Sequence, residues 1–208
     1  MLLNCFASEC GSNRPLPRAR LLGACAGLIL LSGCAALPGS GGDAAGVDDR
    51  RFDQVTTAMS EGPDETALEL LDEIATAYPR LAAPWVNKGI VHAGAGRDAD
   101  AEAAFRRALE IEPGHAIAHA ELGIVLRRQG RFGAADAAYQ AALELDPGYA
   151  LAWRNRGVLL DLYLARPVEA LQCCERYLQL VGGLDADEQV ARWVAELRLR
   201  TDSMVANR

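Results

Sequence analysis

The sequence predicts an all-α fold, a solenoid of about four helix-turn-helix hairpins with a C-terminal capping helix. Three observations point there. Matching residues recur every thirty-four positions through most of the chain, the mark of a stacked repeat architecture. Aromatic residues make up only 6% of the 208 while Ala is abundant, whereas a sandwich or barrel calls for β-branched and aromatic strands about every eight to twelve residues. An apolar share of 50% with 24% charged residues is ordinary for a folded domain and excludes disorder throughout.

The first element is an address. Arg14, Arg18 and Arg20 precede an uninterrupted small and apolar run from Leu21 to Leu31, the n-region and h-region of a secretory signal. A membrane-spanning helix needs ~20 apolar residues, and this run breaks at Ser32-Gly33-Cys34 and again at Pro38. Leu31-Ser32-Gly33-Cys34 resembles the lipobox of bacterial lipoproteins, in which cleavage falls before the Cys. The alternatives are an ordinary signal peptide that happens to contain a Cys, or a misread start codon upstream of a soluble protein. The resemblance implies that residues 1–33 are a lipoprotein signal peptide and that Cys34 is the lipidation site, bearing a thioether-linked diacylglycerol and an amide-linked third chain. More than one acyl chain is what stable anchoring requires. Ala35 in place of Asp resembles the default for export to the outer membrane, so the expected location is the bacterial envelope, lipid-anchored and facing the periplasm.

The second element is a tether over 34–48. Without the first 33 residues the chain holds 18 basic and 27 acidic residues, a net charge of −9. Such a body is repelled by anionic head groups. The Gly/Ser/Ala-rich segment after Cys34 supplies a stand-off, a flexible coil with a span on the order of 20 Å. The acidic balance also lacks the basic surface that phosphate neutralisation needs, so nucleic acid is not an expected partner.

Residues 49–208 carry the repeats. Trp85 and Trp153 are separated by 68 residues, twice thirty-four, and Gly89, Gly123 and Gly157 stand thirty-four apart. Ala101, Phe105, Ala108 and Pro113 are matched by Ala135, Tyr139, Ala142 and Pro147 at the same shift. This pattern resembles the tetratricopeptide repeat (TPR), with Trp, Leu-Gly and Tyr in a first helix and Ala, aromatic, Ala and Pro in and after a second. Full units are expected at 82–115 and 116–149. The unit at 150–183 needs one inserted residue to place Ala170, Cys174 and Tyr177, and it lacks the closing Pro. A degenerate unit at 49–81 puts Phe52, Val55 and Met59 on its first helix. Asp185-Ala186-Asp187-Glu188 reads as a capping box ahead of Val190, Trp193, Val194 and Leu197 at helical spacing. A solvating cap over 185–200 follows, as the open end of a solenoid requires.

Candidate chemistry is sparse. Beyond Cys34, Cys173 and Cys174 are neighbours on one helix, read as packing residues, with a vicinal disulfide or an intermolecular bridge as the alternatives. His92 and His119 replace packing aromatics and His115 sits in a turn, none with a partner at metal-ligand spacing. Gly94-Ala95-Gly96 is a hairpin turn, since no strand precedes it and the third Gly of a phosphate loop is missing. No catalytic residue, metal, cofactor or small-molecule substrate is expected.

What remains is surface. In the repeat family one stripe of each first helix lines a concave groove. The resemblance assigns to that stripe Val86, Ile90 and Ala93, then Ile117, Ala120, Ile124 and Arg127, then Leu151, Arg154, Val158 and Asp161. Family members that clamp a peptide's terminal carboxylate use Asn where this chain has Ile90, Ile124 and Val158. The groove suits an apolar or amphipathic segment, with Arg127 and Arg154 receiving acidic groups; alternatively neighbouring helices cover Ile90, Ile124 and Val158. Lys88 and Arg156 depart from the family's Leu and read as snorkelling stems. The function implied is a membrane-tethered periplasmic scaffold or adaptor for envelope proteins such as peptidoglycan enzymes, proteases, or pilus and secretion components. A pilotin-like assembly factor for a secretin, or an envelope enzyme using the repeats as a scaffold, are the alternatives.

Overall fold

The computed structural model describes residues 49–61, 64–183 and 186–206; Cys34, the signal segment and the tether lie outside them. The described residues form only helices: α1 (Asp49–Glu61), α2 (Asp64–Ala77), α3 (Ala83–Gly94), α4 (Asp98–Ile111), α5 (Ala116–Arg128), α6 (Phe132–Leu145), α7 (Ala150–Leu162), α8 (Pro167–Val181) and α9 (Glu188–Ala206). Each odd-numbered helix to α7 packs antiparallel on the next, and each even-numbered one packs on the helix after it. The expected all-α solenoid of hairpins with a terminal helix is what the chain forms. None of the described helices is long and apolar enough to cross a membrane.

The thirty-four-residue period has a direct packing cause. A Cβ on Gly123 would stand 2.7 Å from Tyr139 Cε1, one on Gly157 would stand 2.7 Å from Cys174 Sγ, and one on Gly89 would collide with the Phe105 ring. Phe105, Tyr139 and Cys174 are each 0% exposed. The missing side chain on the first helix of a hairpin is the space that the large residue of the second helix fills. Ala101, Ala108, Ala135, Ala142 and Ala170, all fully buried, keep the two helices close elsewhere along the crossing. In the first hairpin Val55 and Ala58 pack with Leu71 and Ile74.

The extra residue in the third unit sits in its turn. The N–H groups of Arg97 and Arg131 reach back five residues to His92 and Leu126, whereas that of Arg166 reaches back six, to Leu160. Gly96 and Gly130 take the left-handed conformation this turn demands, at φ +72° and +75°, and Ala165 is forced into it at +53°. Without a closing Pro, α8 stops at Gly182, φ +108°, with the Gly183 N–H bonded to the Leu178 carbonyl at 2.7 Å. This is a glycine stop in place of a proline one.

The start of α9 is capped by Asp187, one of the four residues of the expected capping box. Asp187 accepts the Val190 N–H at 3.0 Å, and its other oxygen accepts from the Tyr177 hydroxyl at 2.9 Å. Asp185 itself lies outside the described residues. The helix runs to Ala206, buries Val190, Val194 and Leu197 against α8, and leaves Leu199 exposed.

Charged residues stitch neighbouring hairpins. The Arg that precedes α4, α6 and α8 reaches each time to the preceding hairpin's second helix: Arg97 to Asp64 at 3.6 Å, Arg131 to Glu102 at 2.5 Å, Arg166 to Asp136 at 3.0 Å. Lys88 and Arg156 are not free snorkelling stems. Lys88 Nζ bonds Asp72 at 2.5 Å and lies 4.6 Å from the Trp85 ring centre, and Arg156 Nε donates to Asp136 at 2.7 Å. Their stems are buried as expected, but their heads meet carboxylates of the preceding hairpin instead of water.

Candidate functional site: the face formed by the first helices

With α4, α6 and α8 seated behind them, α3 touches α5 and α5 touches α7, so these first helices present one continuous face. The assigned residues divide on it by depth. Val86 and Ala120 are 4% and 2% exposed and are core, closed to any partner; a groove role for Val86 is ruled out by its packing with Phe105 and its neighbours. Ile90, Ala93 and Ile124 are half-buried, each with one side on that core. Val158 and Arg154 are also half-buried. Ile117 and Leu151, thirty-four residues apart at the start of α5 and α7, stand 46% and 54% exposed. The surface a partner meets is therefore the outer rows of the stripe.

Asp161 does not line an open groove. Trp193 Nε1 donates to its carboxylate at 2.8 Å, and Arg200 donates to both oxygens at 2.8 Å, leaving the Asp161 side chain 4% exposed. Both donors belong to α9, which thereby closes the end of the face.

Arg127 is held differently. Its guanidinium lies 5.8 Å from the centre of the Tyr163 ring, within cation–π range. Tyr163 packs in turn on Phe132, with ring centres 4.7 Å apart and the planes tilted by 34°. The Nε of Arg127 is buried without a hydrogen-bond partner, and so is the Tyr139 hydroxyl beside it. Burial pushes that phenol up to about 12, against the opposing pull of the Arg127 charge, so it keeps its proton. Among the described residues neither Arg127 nor Arg154 makes an ion pair, whereas Arg128 is paired with Asp98, Arg156 and Arg166 with Asp136, and Arg200 with Asp161. Tyr163 and Phe132 escaped the sequence reading. The signal was the apolar run Leu162-Tyr163-Leu164 at a turn, where the other units have Gly94-Ala95-Gly96 and Arg128-Gln129-Gly130.

The histidines are structural. His119 Nε2 donates to the Pro113 carbonyl at 2.9 Å, as Trp153 Nε1 does to that of Pro147 at 3.0 Å, so the His replaces the ring N–H donor of Trp as well as its bulk. His115 Nδ1 accepts the Ala118 N–H at 3.3 Å and caps α5. His92 Nδ1 accepts from Arg97 Nε at 3.0 Å; burial and the Arg97 cation hold its ring below its ordinary value. Cys173 and Cys174 are free thiols, 2% and 0% exposed, pushed up by burial to about 11 and about 12. Among the described residues no cluster of three His, Cys, Asp or Glu is placed to hold a metal ion.

No curated protein matches the sequence significantly. Solved structures share the fold. One titled as the crystal structure of MamA superposes with a TM-score of 0.57 at 22% identity, over 64% of this chain and 77% of that one. MamA residues 41 to end from Desulfovibrio magneticus RS-1 give 0.60 at 20% identity, over 74% and 85%. The first TPR of Spaghetti (RPAP3), bound to the HSP90 peptide SRMEEVD, gives 0.53 at 18% identity, over 58% and 93%. Two profiles of the tetratricopeptide repeat match the sequence itself, one at residues 80–148 and the other at 120–184. Together they span half of the chain, and with the helical hairpins they establish that this protein belongs to the tetratricopeptide repeat family.

Proposed function

We propose that this chain is a lipid-tethered scaffold of the bacterial envelope, anchored through Cys34 in the outer membrane and facing the periplasm. Its α3–α5–α7 face binds apolar or amphipathic segments of other envelope proteins, among them peptidoglycan enzymes, proteases, or pilus and secretion components. The observation that carries the binding role is the repetition of an exposed apolar residue, Ile117 and then Leu151, at one register of adjacent first helices. Half-buried Ile124 and Val158 continue each row. A rigid face of this kind costs little conformational entropy to present, and a fold neighbour holds a peptide. The Arg-rich start, the apolar run and Leu31-Ser32-Gly33-Cys34 support the tether, and the acidic body supports a stand-off from anionic lipid.

The test is an affinity isolation from detergent-solubilised envelopes with three forms of the chain: native, Ile117→Asp/Leu151→Asp, and Cys34→Ala. Both apolar residues are about half exposed, so the double variant keeps its melting temperature. The expected result is a defined set of envelope proteins held by the native chain and lost by the double variant, with Cys34→Ala leaving the membrane fraction. An unchanged set with the double variant defeats the assigned face. Unchanged membrane association of Cys34→Ala defeats the tether.

A further inference from the structure

We infer that Arg127, backed by Tyr163 and Phe132, is a subsite for an acidic side chain of the bound segment, so that the partner is an apolar peptide carrying at least one Asp or Glu. This rests on the reading of the α3–α5–α7 face as the binding surface and names what that face selects.

The argument starts from charge. In a body that pairs most of its cations with its own carboxylates, Arg127 is half-buried and makes no ion pair among the described residues. A guanidinium removed from water without a counter-charge is unfavourable, and its ring contact with Tyr163 offsets only part of that cost. The acceptor beside it, the Tyr139 hydroxyl, is neutral and brings no counter-charge. Nε is buried with no partner in good hydrogen-bond geometry, and the Tyr139 hydroxyl, on a ring 0% exposed, touches Arg127 as a neutral group only. The part of Arg127 left exposed is what a ligand reaches. A carboxylate laid there makes two charge-assisted bonds to a planar donor already seated against the Tyr163 ring. The next first helix repeats the theme with Arg154, also without an ion pair among the described residues and three residues from the exposed Leu151. Apolar rows alternating with unpaired cations complement an apolar segment with acidic residues, and disfavour a basic one.

A library of random twelve-residue peptides displayed with fused C termini contains no free terminal carboxylate, so any acid preference it reveals belongs to side chains. Selection on the native chain is followed by synthetic pairs of the enriched peptides differing only by Glu or Gln, with both ends blocked and affinities read by fluorescence anisotropy. The expected result is enrichment of Asp or Glu, a fivefold or larger loss on Glu→Gln with the native chain, and no difference between the pair with Arg127→Gln. Arg127→Met, which preserves the buried stem, is the second variant and should behave in the same way. Retention of the Glu preference by folded Arg127→Gln and Arg127→Met overturns the subsite. Peptides that show no acid preference, yet lose binding on Ile124→Asp, overturn the subsite and leave the face standing. A selection that enriches nothing overturns both.

Discussion

Gly123 and Tyr139 are packed so closely that a single Cβ on the glycine would stand 2.7 Å from the tyrosine ring. The relationship recurs in the neighbouring hairpins, so the period of the sequence is a period of interlocked space. Gly123→Ala should lower unfolding stability by about 1–3 kcal/mol through overpacking, measured as a shift of the urea midpoint. Because the two positions are in contact, their effects are coupled. Tyr139→Leu should therefore cost less in the Gly123→Ala background than in the native chain.

Ala165 occupies the left-handed turn position held by Gly in the two preceding units. A Cβ there costs roughly 1–2 kcal/mol, partly offset by the greater freedom of Gly in the unfolded chain. Ala165→Gly should thus raise stability by about 0.5–1 kcal/mol, and Gly130→Ala should lower it. A thermal melt of each variant decides the signs.

Asp136 is 7% exposed and accepts from Arg156, Arg166 and Gln140. Replacing it by Ala leaves two guanidinium groups facing each other at the seam of two hairpins. Removing one partner of a buried pair typically costs roughly 3–5 kcal/mol; with Arg166 partly in water, a loss of about 2–4 kcal/mol is expected. Equilibrium denaturation of Asp136→Ala checks it.

His92 is stabilised as the neutral ring by burial and by the Arg97 cation, in the face of Asp100 and Asp72, which favour the charged form. As pH falls below its ordinary value of 6.5, the unfolded chain takes up this proton before the folded one does. The neutral ring's contribution is therefore complete above that pH and is lost progressively below it. The denaturation midpoint of the native chain should fall more steeply between pH 7 and the acid side of 6.5 than that of His92→Gln, whose side chain retains an acceptor for Arg97. Parallel slopes contradict the assignment.

Cys173 and Cys174 are buried and held in the thiol form, and the thiolate is the reactive species. A thiol reagent at pH 8 should label neither in the folded chain and both in urea. Rapid labelling under native conditions would show that the third hairpin opens.

The hairpins were legible because each rests on a local rule that repeats: Gly against a large residue, Ala at the crossing, Pro at the stop. Identities at fixed spacing record that packing without any need to know the rest of the chain. The face was legible only in outline. Spacing placed Val86 and Asp161 on the same stripe as Ile117, but depth is set by what the next hairpin and α9 cover. Trp193 and Arg200 lie thirty-two and thirty-nine residues from the Asp161 they close over. The heads of Lys88 and Arg156 were misread for the same reason, since their carboxylate partners sit on the preceding hairpin. Tyr163 was missed because it enters through an insertion, where the repeat register no longer assigns a role.

The central claim is that the chain works by holding a partner on the face of α3, α5 and α7, and site-specific photocrosslinking in intact cells tests it most directly. A photoreactive residue replaces Ile124 on that face or, for comparison, the exposed Arg176 of α8, each with Cys34 intact and with Cys34→Ala. The account predicts that the probe at Ile124 traps one defined envelope protein, only when Cys34 is present, and that the probe at Arg176 does not. Capture at Arg176 with none at Ile124 would contradict it.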